Sequence, residues 1–155
     1  WTNSHLYQFW VDGRRFGDAE FLNEGFADPD DEDAVIDSAK TMLSEIVAKK
    51  RKKFAFGYEY DFGDGWQHEI MFEGMVPAVQ GATYPCCIAG ERACPPEDCG
   101  GTPGLENFLA AMSDKKHPDH RDLKDWYGGK FDAEKFDPAR ATKEMKKGLF
   151  DWRAK

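Results

Sequence analysis

Four cysteines, Cys86, Cys87, Cys94 and Cys99, fall within fourteen positions of a segment dense in proline and glycine. Thiolates and imidazoles are the donors that zinc prefers, four to an ion in a tetrahedral array. The most economical set is Cys87, Cys94 and Cys99 with His68, which leaves Cys86 spare, because adjacent cysteines cannot easily give both thiols to one ion. Zinc in a structural role is the cofactor this set would suit. The six and four residues between successive cysteine ligands differ from the paired two-residue spacing of zinc ribbons. Reduced structural or reactive thiols, and a disulfide, therefore stand as alternative readings. The start Trp1-Thr2-Asn3-Ser4 lacks the basic and apolar regions of a signal peptide, which weighs against the disulfide and favours a cytoplasmic protein. Taken alone, His68 on an aromatic strand face reads as a core histidine bonded to backbone.

A second set of groups, Asp61, Asp64, His68 and Glu69, could serve a metal-dependent hydrolase or nuclease. His117 and His120, three apart, could also ligate a metal, but their place just before a helix reads more simply as an exposed capping loop. Asp61-Phe62-Gly63 and His120-Arg121-Asp122-Leu123 resemble fragments of protein-kinase signatures. Their order is reversed, and the glycine-rich loop and the expected asparagine are absent. The sequence contains no serine nucleophile elbow, phosphate-binding loop or dinucleotide fingerprint.

Charge points the same way. The chain of 155 residues carries a net −8. Residues 1–53 contribute −3, residues 54–105 contribute −7 from one basic and eight acidic groups, and residues 106–155 contribute +2. An acidic balance disfavours direct nucleic-acid binding, which is driven by basic side chains displacing counterions. It favours a cation or a basic protein partner near the middle segment, or else a solvated acidic face. No apolar run approaches the roughly 20 residues needed to span a bilayer. Length and composition are those of one soluble domain.

The elements that would position these groups are legible from periodicity. His5 to Val11 is rich in aromatic and β-forming residues, and Asp12-Gly13 before Arg14-Arg15-Phe16 signals a two-residue hairpin turn. Phe54, Phe56, Tyr58, Tyr60 and Phe62 alternate along one strand, and Trp66, His68, Ile70 and Phe72 along the next. A three-residue Gly63-Asp64-Gly65 loop pairs Phe62 with Trp66, Tyr60 with His68 and Tyr58 with Ile70, and keeps both apolar sets on one face. His68 then points to the aromatic side and Glu59, Asp61, Glu69 and Glu73 to the other. The acidic run Asp28 to Asp33 reads as solvated loop. Val35, Ala39, Met42, Leu43, Ile46 and Val47 share one helical face, closed by the basic run Lys49 to Lys53. Residues 77–104 form an ordered loop that something must hold. Helices follow: one beginning at Thr102-Pro103 with Leu105, Phe108, Leu109 and Met112, one holding Leu123, Trp126 and Tyr127 and ended by Gly128-Gly129, and one opened by Asp137-Pro138. The fold class is α+β: an antiparallel sheet with an aromatic hairpin, packed against several short helices, plus the ordered Cys/Pro/Gly loop.

The runs Tyr58-Glu-Tyr-Asp-Phe-Gly-Asp-Gly-Trp-Gln-His68 and Gly90-Glu-Arg-Ala-Cys-Pro-Pro-Glu-Asp-Cys-Gly-Gly101 resemble the plasmid pRiA4b ORF-3-like proteins. Ser4-His-Leu-Tyr-Gln-Phe9, His117-Pro118, Gly128-Gly-Lys-Phe-Asp132 and Phe136-Asp137 support the resemblance over nearly the whole chain. It implies an α+β domain of prokaryotic plasmid, mobile-element and chromosomal proteins, some of them labelled transposon resolvases. Ser4, Ser38, Ser44 and Ser113 lack the arginine-rich setting a serine resolvase requires. Cys87, Cys94 and Cys99 fit the family pattern, and Cys86 is an addition. The resemblance also implies a further strand and helix before Trp1, so residues 1–155 are expected to be a single domain lacking that segment. The expected function is a non-catalytic protein-interaction module with a structural zinc. The alternatives are the hydrolase or nuclease above, or a nucleic-acid accessory protein using a basic surface from residues 106–155.

Overall fold

The structure is a computed structural model that describes residues 1–23, 34–47 and 53–148. Among these residues, five strands in one mixed sheet and five short helices make the protein α+β. The chain forms two compact units, one of residues 5–77 and one of residues 1–4 with 78–155.

In the unit of residues 5–77, β1 (Tyr7–Val11), β2 (Arg14–Gly17), β3 (Ile36–Asp37), β4 (Phe54–Tyr60) and β5 (Trp66–Phe72) lie in the order β3-β2-β1-β4-β5. Every pairing is antiparallel except β2 with β3. The Asp12-Gly13 hairpin forms as the sequence predicts, with Val11 opposite Arg14 and both turn residues at positive φ. Alternation places Phe9, Phe16, Phe56, Tyr58, His68 and Ile70 on one face, where Phe9 packs at 4.7 Å from Tyr58 and Phe54 at 5.5 Å from Phe72. A cavity of about 350 Å³ lies on this face, walled by Phe9, Phe16, Phe56 and Ile70 from the sheet and by Leu43 and Ile46.

Two expectations need correction. The aromatic hairpin pairs Tyr60 with Trp66, Tyr58 with His68 and Phe56 with Ile70, two residues away from the predicted register. Its loop runs from residue 61 to 65, because the Asp61 carboxylate accepts the N–H groups of Gly63 (3.0 Å) and Asp64 (3.3 Å) and Gly65 N–H bonds back to the Asp61 carbonyl. That local network needs Asp61 in the turn, at φ 56°, rather than on the sheet. A shift of two preserves which face each side chain takes, so the aromatic face survives the change.

The predicted helix over Val35 to Val47 is also broken. Asn23 holds Val35 through both backbone groups, donating to its carbonyl at 2.8 Å and accepting its N–H at 2.9 Å, and Ile36 pairs with Phe16. Asp37 then accepts the Ala39 N–H and opens a single 3₁₀ turn, Ser38–Lys40. Only α2 (Leu43–Val47) is helical, following α1 (Ala19–Leu22), a short helix capped by buried Asp18. The acidic run Asp28 to Asp33 and residues 49–52 of the basic run lie outside the described residues.

The other unit contains α3 (Gly101–Ser113), α4 (His120–Tyr127) and α5 (Pro138–Lys147), close to the expected bounds. Phe108 is fully buried beside Ala111 and meets Trp126, Tyr127 and Phe131 edge-on at 5.1–5.9 Å. Left-handed Gly128 ends α4, and the Asp137 carboxylate caps α5 through the N–H groups of Ala139 and Arg140. No helix among the described residues is long and apolar enough to cross a membrane.

Candidate binding site

His68 stands at the middle of β5, half-buried, with its ring 5.2 Å from that of Tyr58. Its Nδ1 lies 3.3 Å from the Tyr58 carbonyl, which can only accept. Burial of Tyr58, with Tyr7 alongside, pushes its phenol up to about 12. At the hairpin turn Asp61 is buried, and its second carboxylate oxygen is 3.7 Å from His5 Nε2. The hydrolase set does not converge: the Asp61 carboxylate serves the turn, and Glu69 stands on the face opposite His68.

That opposite face carries residues the sequence reading passed over. One row crosses four strands through Arg15, Trp10, Gly57 and Glu69, and the next runs Gly17, Gln8, Glu59 and Gln67. Gly57 has no side chain, and the Trp10 indole leans against the gap: a Cβ on Gly57 would touch Trp10 Cε3 at 3.4 Å. Trp10, Gly57 and Gln67 line a pocket of about 280 Å³ there, with Tyr58 and His68. Gln67 and Glu69 are exposed, and Glu59 accepts from Gln8 Nε2 at 2.9 Å. A tryptophan out of phase with Tyr7, Phe9 and Val11, and a glycine inside a strand, are the two sequence signals that mark this place.

The cysteines lie in the other unit, where residues 78–100 form no strand or helix. Non-local bonds within that unit hold the segment. Cys87 N–H donates to Thr142 Oγ1 at 2.8 Å, Ala93 N–H to the Ala133 carbonyl at 2.8 Å, and Lys146 Nζ to Thr83 Oγ1 at 2.6 Å. Gly90 lies under the Phe136 ring. At the start of α3, a Cβ on Gly104 would fall 1.8 Å from the Cys99 carbonyl oxygen, so no other residue fits.

All four thiols are free of disulfides. Cys87 Sγ donates to the Ala89 carbonyl at 3.3 Å, Cys99 Sγ approaches the Gly101 carbonyl at 4.0 Å, and Cys94 Sγ is 3.8 Å from the Trp1 backbone nitrogen. The sulfurs of Cys87, Cys94 and Cys99 are not drawn within 4.8 Å of one another, so one ion would require these side chains to turn from their present partners. His68 belongs to the other unit. His117 and His120 are tied separately, His117 Nδ1 accepting the Asp119 N–H at 3.2 Å and His120 Nδ1 lying 2.6 Å from the Ala111 carbonyl.

A mixed sheet with short helices makes this an α+β protein, and its cysteine segment has no regular structure. Residues 1–140 match the family described as plasmid pRiA4b ORF-3-like protein, and the chain belongs to that family. It is similar to the uncharacterized protein y4hQ of Sinorhizobium fredii, at 38% identity over the whole chain and 73% of that protein. It is also similar to the crystal structure of a protein of unknown function, MM3350, from Methanosarcina mazei Go1. There the TM-score is 0.72 at 34% identity, covering 90% of this chain and 74% of the other.

Proposed function

We propose that this chain is a non-catalytic protein-interaction module whose partner presents basic and apolar side chains, and that Cys87, Cys94 and Cys99 hold a structural zinc. What supports the first part is the exposure of the acidic segment. Val79, Tyr84 and Ile88 are 67%, 56% and 90% exposed, and Glu91 and Asp98 are exposed in the same unit. Large apolar side chains held in water beside carboxylates suit a partner that buries the one and neutralises the other. Charge complementarity also predicts salt dependence.

The test uses fluorescent decapeptides of interspersed arginine, lysine and leucine, with acidic peptides of equal hydropathy as controls. Binding by the basic peptides alone, weakening as salt rises and lost in Ile88→Asp, is the expected result. Failure of every basic peptide to bind overturns the reading. For the zinc, metal analysis with thiol titration under reducing conditions should give about one ion per chain and three thiols protected until chelation. Four thiols titrating at once without metal would overturn that part.

A further inference from the structure

The exposed sheet face offers a more specific feature. Adjacent strands lie about 4.8 Å apart, so the backbones of Trp10 and Glu69, with Gly57 between them, stand about 10 Å apart. The missing side chain of Gly57 turns that interval into a slot. Trp10 and Gln67 line it, the strand register sets Glu69 beside Gly57 on the side away from Trp10, and Glu59 in the neighbouring row is held by Gln8. Among the described residues Glu69 makes no hydrogen bond or ion pair, whereas Arg15, at the far side of Trp10, has interactions of its own.

We infer that this slot receives an arginine side chain of the partner protein, the guanidinium stacking on the Trp10 indole and forking onto Glu69. The inference rests on the basic-partner reading above and adds to it a second seat, on the sheet unit rather than on the segment around Ile88, for one arginine of that partner. A planar cation that is weakly hydrated and carries five N–H donors fits an aromatic wall facing a carboxylate better than a lysine ammonium does. The glycine is the discriminating residue. Its φ is not left-handed, and an added Cβ meets Trp10 only at ordinary contact distances of 3.4 and 3.8 Å, so the strand can accept a side chain. A β-branched residue there suits the strand and fills the slot.

The experiment titrates a decapeptide carrying three arginines against its lysine and citrulline counterparts, with wild type, Gly57→Val and Glu69→Gln. Anisotropy and the indole N–H signal of Trp10 are followed. Citrulline should weaken binding at least tenfold, and lysine less. Each substitution should weaken the arginine peptide about tenfold with the melting temperature held, and the Trp10 signal should move only in wild type. If both variants bind the arginine peptide as wild type does, the slot is overturned while the basic-partner reading stands. If no basic peptide binds wild type, both fall. Should Gly57→Val not fold, Glu69→Gln and the Trp10 signal decide.

Discussion

The sheet unit and the cysteine-bearing unit hold their chains by different means. In the sheet, Gln8 to Trp10 of β1 and Gly57 to Tyr60 of β4 are paired on two sides, and the aromatic face repeats the same contact several times over. In the cysteine segment, a stretch of more than twenty residues is held by single bonds to Ala133, Thr142 and Lys146, and by close packing at Gly90 and Gly104. Redundant order tolerates a local loss. Order resting on a few points does not.

The sharpest way to break this contrast is Gly104→Ala. One added methyl must displace the Cys99 carbonyl from the start of α3, and the expected cost is roughly 4 kcal/mol or more, measured by urea unfolding. A cost below 1 kcal/mol would show that the segment yields as easily as a surface loop. Within the sheet unit, Asp61→Ala should cost about 2 kcal/mol, since it leaves the Gly63 and Asp64 N–H groups without their acceptor. Asp61→Asn, which keeps an acceptor oxygen, should cost less.

Thr142→Val should cost about 1 kcal/mol and, unlike any sheet variant, speed the alkylation of Cys87. Mass spectrometry of the labelled peptide reads that rate directly. At neutral pH the smallest effect belongs to Tyr58. Its phenol titrates near 12 in the fold against 10 in the unfolded chain, so the fold disfavours the phenolate. The stability this lends is complete below pH 10 and lost as pH rises through about 12. Tyr58→Phe should therefore flatten the alkaline limb of the stability profile relative to wild type, and equal limbs would refute the assignment.

The same contrast explains what could be read in advance. Alternation in Phe54 to Tyr60 and Trp66 to Phe72 gave the hairpin and its faces, because period two is a property of the strand itself. The loop length was missed because the Asp61 carboxylate bonds its own turn, which alternation does not record. The helix expected from Val35 was undone by Asn23, twelve residues away. Gly128, Asp137 and Pro138 marked helix ends correctly since capping is local. The site was less legible. Cysteine spacing suggested donors but not the partners each thiol now has, and the row of Trp10, Gly57 and Glu69 exists only once three strands are in register.

Among the described residues β5 ends the strand order, with β4 as its neighbour, so its seven residues form an edge of the described sheet. Such edges invite like strands from other molecules to add themselves, the first step towards fibrils and precipitates. Glu69 places a carboxylate on that edge strand, where a charge discourages such addition, while Glu73 just beyond it pairs with Lys53 at 3.6 Å. Trp66, Ile70 and Phe72 lie on the same strand, so Glu69→Val would add one more apolar side chain to an edge that already carries three. A single substitution at that carboxylate is therefore expected to lower the protein concentration at which light scattering first rises.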